Sequence, residues 1–334
     1  MSIATAITAA QGRVADAYTA ISNKGGTLPA TQNLANMPTA INSIPSGGSS
    51  EKYGANTNTF LGDVDANGVL QLPNEQSDLV FTGVEDVVNY GLYYRFTRTK
   101  VKSASFPALT TIGGSQGCTY MFYYCTALAS ASFPALTTIS GNSGCAYMFD
   151  QCSALTSISF PALTTISGSQ GCQSMFAACS ALTSISLPNL TTISGNSGCT
   201  YMFTGCTALA SVSLPNLTTI SGNSGCTNMF NNCSALTSIS FPALTTISGS
   251  QGCAYMFYYC RNLTDVYFNS LTTTSFGSYK NQFYYMMIGT GSTTTHTLHF
   301  PSNLESTIQG LTGYPNFSGT SGYVVLAFDL PATS

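Results

Sequence analysis

Gly144-Cys145-Ala146-Tyr147-Met148-Phe149-Asp150-Gln151-Cys152-Ser153-Ala154-Leu155-Thr156-Ser157-Ile158-Ser159-Phe160-Pro161-Ala162-Leu163-Thr164-Thr165-Ile166-Ser167-Gly168-Ser169-Gln170 is one complete unit of a tandem repeat. Cys118, Cys145, Cys172, Cys199, Cys226 and Cys253 stand 27 residues apart, and so do Cys125, Cys152, Cys179, Cys206, Cys233 and Cys260. A fixed period of this length is the signature of a solenoid. Leu155, Ile158, Phe160, Leu163 and Ile166 supply the apolar spacing of a leucine-rich unit. The reading is an α/β repeat fold, a right-handed leucine-rich-repeat solenoid with 27-residue repeats.

Each unit is expected to begin with a short helix or helical turn. Cys172, Met175, Phe176 and Cys179 recur at i, i+3, i+4 and i+7, the spacing that puts them on one helical face. The segment Ser157-Ile158-Ser159-Phe160 alternates as a strand with Ile and Phe inward. Pro161 and its equivalents Pro134, Pro188, Pro215 and Pro242 end that strand, because proline donates no ladder bond. A Ser-Gly-x-x-Gly loop follows.

A single unit cannot stand alone. About nine apolar side chains give roughly 1.5–3 kcal/mol each when buried. Ordering the backbone costs about 1–2 kcal/mol per residue. Stacking buries both faces of every unit, at ~4.8 Å per rung.

Charge is scarce, at 6% of residues against roughly 25% in ordinary soluble domains. Between Lys102 and Arg261 the one charged side chain is Asp150. No basic stripe exists to neutralise phosphates, so nucleic acid is not an expected partner. No apolar run reaches the ~20 residues of a membrane span. The stretch Met1 to Ile7 has no basic residue before it, and a signal peptide is not expected.

Residues 1–45 read as a helical anchor or oligomerisation segment. Ile3, Ile7, Val14, Tyr18 and Ile21 fall on one helical stripe. Residues 46–52 are a Gly/Ser-rich linker. Residues 53–100 carry strand signals, Leu92 to Phe96 among them, and read as a small β cap. The solenoid is assigned to residues 101–275 and a degenerate C-terminal cap to 276–334. A stripe too small to bury itself suggests docking to a partner or self-association.

Twelve cysteines read as buried thiols, with bridges between rungs and metal binding as alternatives. Two histidines, His296 and His299, have no carboxylate near them in sequence. Asp63-Val64-Asp65-Ala66-Asn67-Gly68 opens like a calcium loop, but Asn74 stands where such a loop needs Glu. An Asn-Gly hairpin explains the same residues. No cofactor and no metal site are expected. The regular units hold no serine beside a base, so an enzyme is not expected.

Most positions barely change between units, but the pair before the second cysteine does. It reads Tyr123-Tyr124, Asp150-Gln151, Ala177-Ala178, Thr204-Gly205, Asn231-Asn232 and Tyr258-Tyr259. Two residues after the first cysteine stand Tyr120, Tyr147, Ser174, Tyr201, Asn228 and Tyr255. Tyr and Asn at variable, exposed positions make Tyr120, Tyr123, Tyr124, Tyr147, Asp150, Gln151, Tyr201, Asn231, Asn232, Tyr255, Tyr258 and Tyr259 the candidate binding residues. Drift at tolerant surface sites explains the same variation. Regular Thr pairs such as Thr164-Thr165 also have the look of ice-binding solenoids.

The run Met-Phe-x-x-Cys-x-x-Leu-Thr-Ser-Ile resembles the BspA-like leucine-rich repeats of bacterial surface proteins. Asn23 to Pro29, followed by Met37 to Pro45, resembles the leader of phage minor structural and tail proteins. Together the resemblances imply a virion structural protein of tail or head fibre type. It would be held to other virion proteins through residues 1–45, would display its repeats on the virion surface, and would contact a host glycan or protein. A bacterial cell-surface adhesin and a purely structural decoration are the alternatives.

Overall fold

The computed structural model describes residues 78–80, 86–87, 89, 91–272, 283, 286, 295–311 and 324–333. The anchor, the linker and the Asp63 to Asn74 segment lie outside the described residues, so the stripe of Ile3, Ile7, Val14, Tyr18 and Ile21 does too.

The chain folds as a parallel-strand solenoid with two ladders per rung. The longer strand, Ser157–Ser159 in the quoted unit, recurs as Ser103–Ser105, Ser130–Ser132, Ser184–Ser186, Ser211–Ser213, Ser238–Ser240 and Asp265–Tyr267. The shorter strand, Thr165–Ile166, pairs in register with Thr138–Ile139 and Thr192–Ile193. This second ladder was not anticipated. It runs through seven strands from Asp86–Val87 to Thr246–Ile247 without a break.

The longer-strand ladder is interrupted twice, between Ser157–Ser159 and Ser184–Ser186 and again between Ser211–Ser213 and Ser238–Ser240. Both interruptions fall where the buried residue after the strand changes between Phe and Leu. Phe106, Phe133 and Phe160 stack face to face with centroids 4.9 Å apart. Leu187 and Leu214 follow, and ring stacking resumes at Phe241 and Phe268, 5.4 Å apart. The aromatic column and the backbone ladder break together.

The expected helical turn is absent. In residues 116–125, alternate N–H groups bond to different places. Those of Cys118, Tyr120, Phe122 and Tyr124 donate to carbonyls of the next rung, Gly144, Ala146, Met148 and Asp150, at 2.7–3.0 Å. Those of Met121, Tyr123 and Cys125 donate back three residues, at 3.0–3.1 Å. An α-helix would send every one of them back four residues. Every fourth residue is left-handed instead: Gln116, Tyr120 and Tyr124 have φ of 53°, 56° and 61°. The segment is a ribbon of linked β-turns bonded to its neighbour. It buries the four positions a helix would bury, which is why the spacing of Cys118, Met121, Phe122 and Cys125 misled. Among the described residues the helices are Ser302–Leu304 (3-10) and Glu305–Gln309 (α).

Residues 92–96 are likewise not a strand. Leu92, Phe96 and Thr99 occupy the first-cysteine, phenylalanine and second-cysteine places of a degenerate rung. The N–H of Leu92 donates to Gly117 O at 2.7 Å, and that of Phe96 to Met121 O at 2.8 Å.

The core is columnar. Phe96, Phe122, Phe149, Phe176, Phe203, Phe230 and Phe257 stack with centroids 5.3–5.6 Å apart. Each second-column cysteine thiol donates to the previous rung's phenylalanine carbonyl, as Cys152 Sγ does to Phe122 O at 3.1 Å and Cys260 Sγ to Phe230 O at 2.9 Å. All twelve thiols are free and buried. Burial pushes Cys125 up to about 11 and Cys206 and Cys260 up to about 12, so these sulfurs are protonated donors, not nucleophiles. A glycine column completes the rung. A Cβ on Gly195 would sit 2.0 Å from Gly168 O, and one on Gly141 2.1 Å from Gly114 O. Backbone lies against backbone there, with no room for a side chain.

The threonine pairs are not a free hydroxyl array. The Thr164, Thr191 and Thr218 hydroxyls donate to the previous rung's Thr carbonyl at 3.0–3.1 Å. They serve the ladder, so the resemblance to ice-binding faces finds no support in them.

At the C-terminal rungs, His296–Pro301 pairs with Asp265–Tyr267 and with Val324–Leu330. His299 has the carboxylate partners that sequence distance hid. Its Nε2 lies 3.1 Å from Asp265 Oδ1 and its Nδ1 2.8 Å from Asp329 Oδ2. Its ring stacks on Tyr267 at 4.3 Å. Two nitrogens facing two carboxylates are satisfied together only when both carry protons. Burial works against that charge, but the bonds to Asp265 and Asp329 outweigh it and raise the pKa of His299. His296 is buried, bonded through Nδ1 to Leu263 O, with Nε2 unpartnered.

Candidate functional site

Two of the three left-handed columns of the turn ribbon fall on variable positions, while the third, Gln116 and its equivalents, holds only Ser or Gln. Tyr120, Tyr147, Ser174, Tyr201, Asn228 and Tyr255 form one such column. Tyr124, Gln151, Ala178, Asn232 and Tyr259 form the other, with Gly205 among them at φ 72°. Ser174 and Asn228 are buried, and the other side chains of the two columns are half-buried or exposed.

The second column and the residues just before it shape a groove of about 530 Å³. Its floor is Ala177, Ala178, Thr204 and Gly205, and its far wall is Asn231, Asn232, Tyr258, Tyr259 and Arg261. Small residues on two successive rungs make the depression, and bulky ones on the following rungs border it, leaving it open to solvent. Tyr258 and Tyr259 meet edge to face at 4.3 Å, and the Arg261 guanidinium lies 5.7 Å from the Tyr259 ring centre. Asp150 and Gln151 stand one rung before Ala177 and Ala178. Burial pushes the Asp150 carboxyl up to about 6, against the opposing bond from the Gln151 backbone.

Of the twelve candidate residues, Asn231, Asn232, Tyr258 and Tyr259 line the groove. Tyr255 adjoins it through its edge contact with Tyr258 at 6.1 Å. Tyr120, Tyr123, Tyr124 and Tyr147 belong to a second aromatic cluster at the N-terminal rungs. There Tyr94, Tyr120 and Tyr147 stack at 4.5 and 4.8 Å. Tyr123 meets Tyr120 edge-on, and Arg98 lies over Tyr124 at 5.7 Å. Burial, and then the phenols of Tyr94 and Tyr147, push Tyr120 up to about 12. Tyr201 is exposed and stands apart from both clusters.

Sequence reasoning missed the groove floor and Arg261. A depression is made by absent side chains, and Ala177, Ala178, Thr204 and Gly205 carry no chemistry that attracts notice. The signal was present as consecutive small pairs between larger ones.

Among the described residues no group of three or more His, Cys, Asp or Glu is arranged to hold a metal ion. No helix among them is long and apolar enough to cross a membrane.

The family model of the BspA type leucine rich repeat region matches residues 91–224, 118–251 and 173–300 in six copies. The chain belongs to the BspA-type leucine-rich-repeat family. Solenoids of this kind are typically non-enzymatic binding scaffolds. Among solved structures, a leucine-rich repeat protein from Bacteroides ovatus is similar at 20% identity, over 72% of this chain and 64% of that one, with a TM-score of 0.42. A leucine rich cell surface protein from Faecalibacterium prausnitzii is similar at 16% identity, over 78% of this chain and 96% of its own, with a TM-score of 0.33. A leucine rich repeat protein of T. pallidum is similar at 16%, over 66% and 89%, with a TM-score of 0.28. This chain thus spans less than two thirds of the B. ovatus protein. Comparison with curated proteins gives no match.

Proposed function

We propose that this chain is an adhesion scaffold whose BspA-type solenoid presents the groove between Ala177 and Arg261 to a cell-surface glycan or protein. One observation carries the reading. The concavity falls on the variable pair before the second cysteine, the second member of which is left-handed, while the columns behind it repeat almost unchanged. Exposed Tyr and Asn are the residues that adaptable binding surfaces use. The remaining candidate tyrosines, Tyr120, Tyr123, Tyr124 and Tyr147, form a second contact patch in this reading.

The finer reading is a phage virion protein of tail or head fibre type, anchored to other virion proteins by residues 1–45. The leader's resemblance to phage tail proteins and the Gly/Ser linker behind it support this. The family itself favours a second reading, a bacterial cell-surface adhesin. Antibody labelling of purified virions and of host envelopes separates them: label on virions supports the first, label confined to the envelope the second. Binding of the full chain to host cells tests the shared claim. Asn231→Ala combined with Tyr258→Ala is expected to abolish cell binding and leave thermal stability unchanged. Undiminished binding by that variant would remove the groove from the function.

A further inference from the structure

We infer that the groove takes an acidic oligosaccharide, with the ligand's anionic group seated at Arg261. The inference rests on the groove being the adhesion site and adds the chemical class of what it holds.

The first observation is what the backbone does there. The N–H of Ala178 donates to Thr204 O, that of Gly205 to Asn231 O and that of Asn232 to Tyr258 O, all at 2.7–2.8 Å. The carbonyls of Ala178 and Gly205 accept from Ser180 and Thr207 at 2.9 Å. Main-chain donors are consumed by neighbouring rungs, so an extended peptide cannot dock by strand addition. Recognition falls to side chains.

The second observation is which side chains are unused. Several asparagines elsewhere on the solenoid are structural. Asn189, Asn216 and Asn262 donate to carbonyls of the preceding rung at 2.7–2.8 Å, and Asn196 and Asn223 accept rung N–H groups at 3.0 Å. The amides of Asn231 and Asn232 make no side-chain hydrogen bond among the described residues, and the Arg261 guanidinium makes no ion pair there. Two free amides present both donors and acceptors, the complement of a row of sugar hydroxyls. Tyr258 and Tyr259 add aromatic faces for the apolar side of a sugar ring.

The third observation is charge. Among the described residues Arg261 is the one cation lining the groove, at one end, and Asp150 lies beyond the opposite end. A guanidinium pairs with a carboxylate or phosphate in a two-pronged fork. An acidic sugar therefore has one orientation, its anion at Arg261 and its neutral units running toward Ala177. Four rungs span roughly 15 Å, room for a short oligosaccharide.

Titration calorimetry of the full chain with 3′-sialyllactose and trigalacturonate, against lactose and maltotriose, tests this. Binding of an acidic probe, at least about tenfold tighter than its neutral counterpart and reduced about tenfold by Arg261→Gln, is expected. Circular dichroism should show that variant folded as the parent. Equal affinity for neutral and acidic probes overturns the inference, as does an Arg261→Gln protein that binds unchanged. Cell binding that survives glycosidase treatment but not protease treatment also overturns it, while leaving the adhesion reading intact. Loss of the adhesion reading itself shows as failure of the full chain to bind host cells.

Discussion

Each rung has two corners where the backbone is under special demand, and they place opposite demands on the sequence. At the Gly168, Gly195 and Gly222 corner the dihedrals are ordinary, but successive backbones touch and a Cβ has nowhere to go. At the Ala178, Gly205 and Asn232 corner the dihedrals are left-handed, yet a side chain meets only ordinary van der Waals contact. The nearest atoms to a Cβ on Gly205 lie 3.7 Å away. Contact fixes the residue at the first corner. Conformation alone, at about 1–2 kcal/mol per residue, leaves Tyr, Gln, Ala, Asn and Gly all admissible at the second. The fold thereby separates columns that hold the stack from columns free to meet a ligand.

The largest effect should come from the contact corner. Gly195→Ala forces two rungs apart and is expected to cost about 3 kcal/mol or more, read as a lower midpoint in urea unfolding. A neutral outcome would mean the close approach at Gly168 O relaxes freely. At the conformational corner, Gly205→Ala is expected to cost about 1 kcal/mol, and Gly205→Asn less, since Asn tolerates this region. A cost at Gly205 equal to that at Gly195 would erase the distinction between the corners.

The smallest effect concerns strands joined by side chains as well as backbone. His299 has its pKa raised by Asp265 and Asp329. Its contribution is therefore complete below the pKa of the unfolded imidazole and is lost as pH rises through the higher folded value. Asp265 is shifted down, by its bond to Thr264 and then by His299, so its share is lost only as pH falls through that lowered value. Amide protection at Val324–Leu330, corrected for intrinsic exchange, should fall as pH is raised through the imidazole range, and His299→Gln should flatten that dependence. Protection in the Phe203 to Phe230 rungs, away from Asp150, should not follow pH in this way.

Much of this was legible in the sequence because the period is regular. The two cysteine columns, the strand stopped by Pro161 and the inward Leu155 and Phe160 all follow from the 27-residue register. The turn ribbon was not legible: Cys118, Met121, Phe122 and Cys125 are buried by a helix and by linked turns alike, and spacing does not distinguish them. The His299 cluster was hidden because irregular rungs put Asp265 and Asp329 34 and 30 residues away, off the repeat period. The site was half legible. Variation marked Asn231, Asn232, Tyr258 and Tyr259, but Arg261 lies beyond the second cysteine and outside the variable pair.

The most direct test fills the groove without touching the stack. The variant Ala177→Tyr, Ala178→Tyr, Thr204→Tyr and Gly205→Tyr copies onto two rungs the pair that Tyr123-Tyr124 already carries on another. Thermal unfolding and host-cell binding are measured on the same preparation. The account predicts a folded solenoid, its Tm lowered by a few degrees at most, and no binding. Unchanged binding, or collapse of the fold, would contradict the separation of holding columns from binding columns.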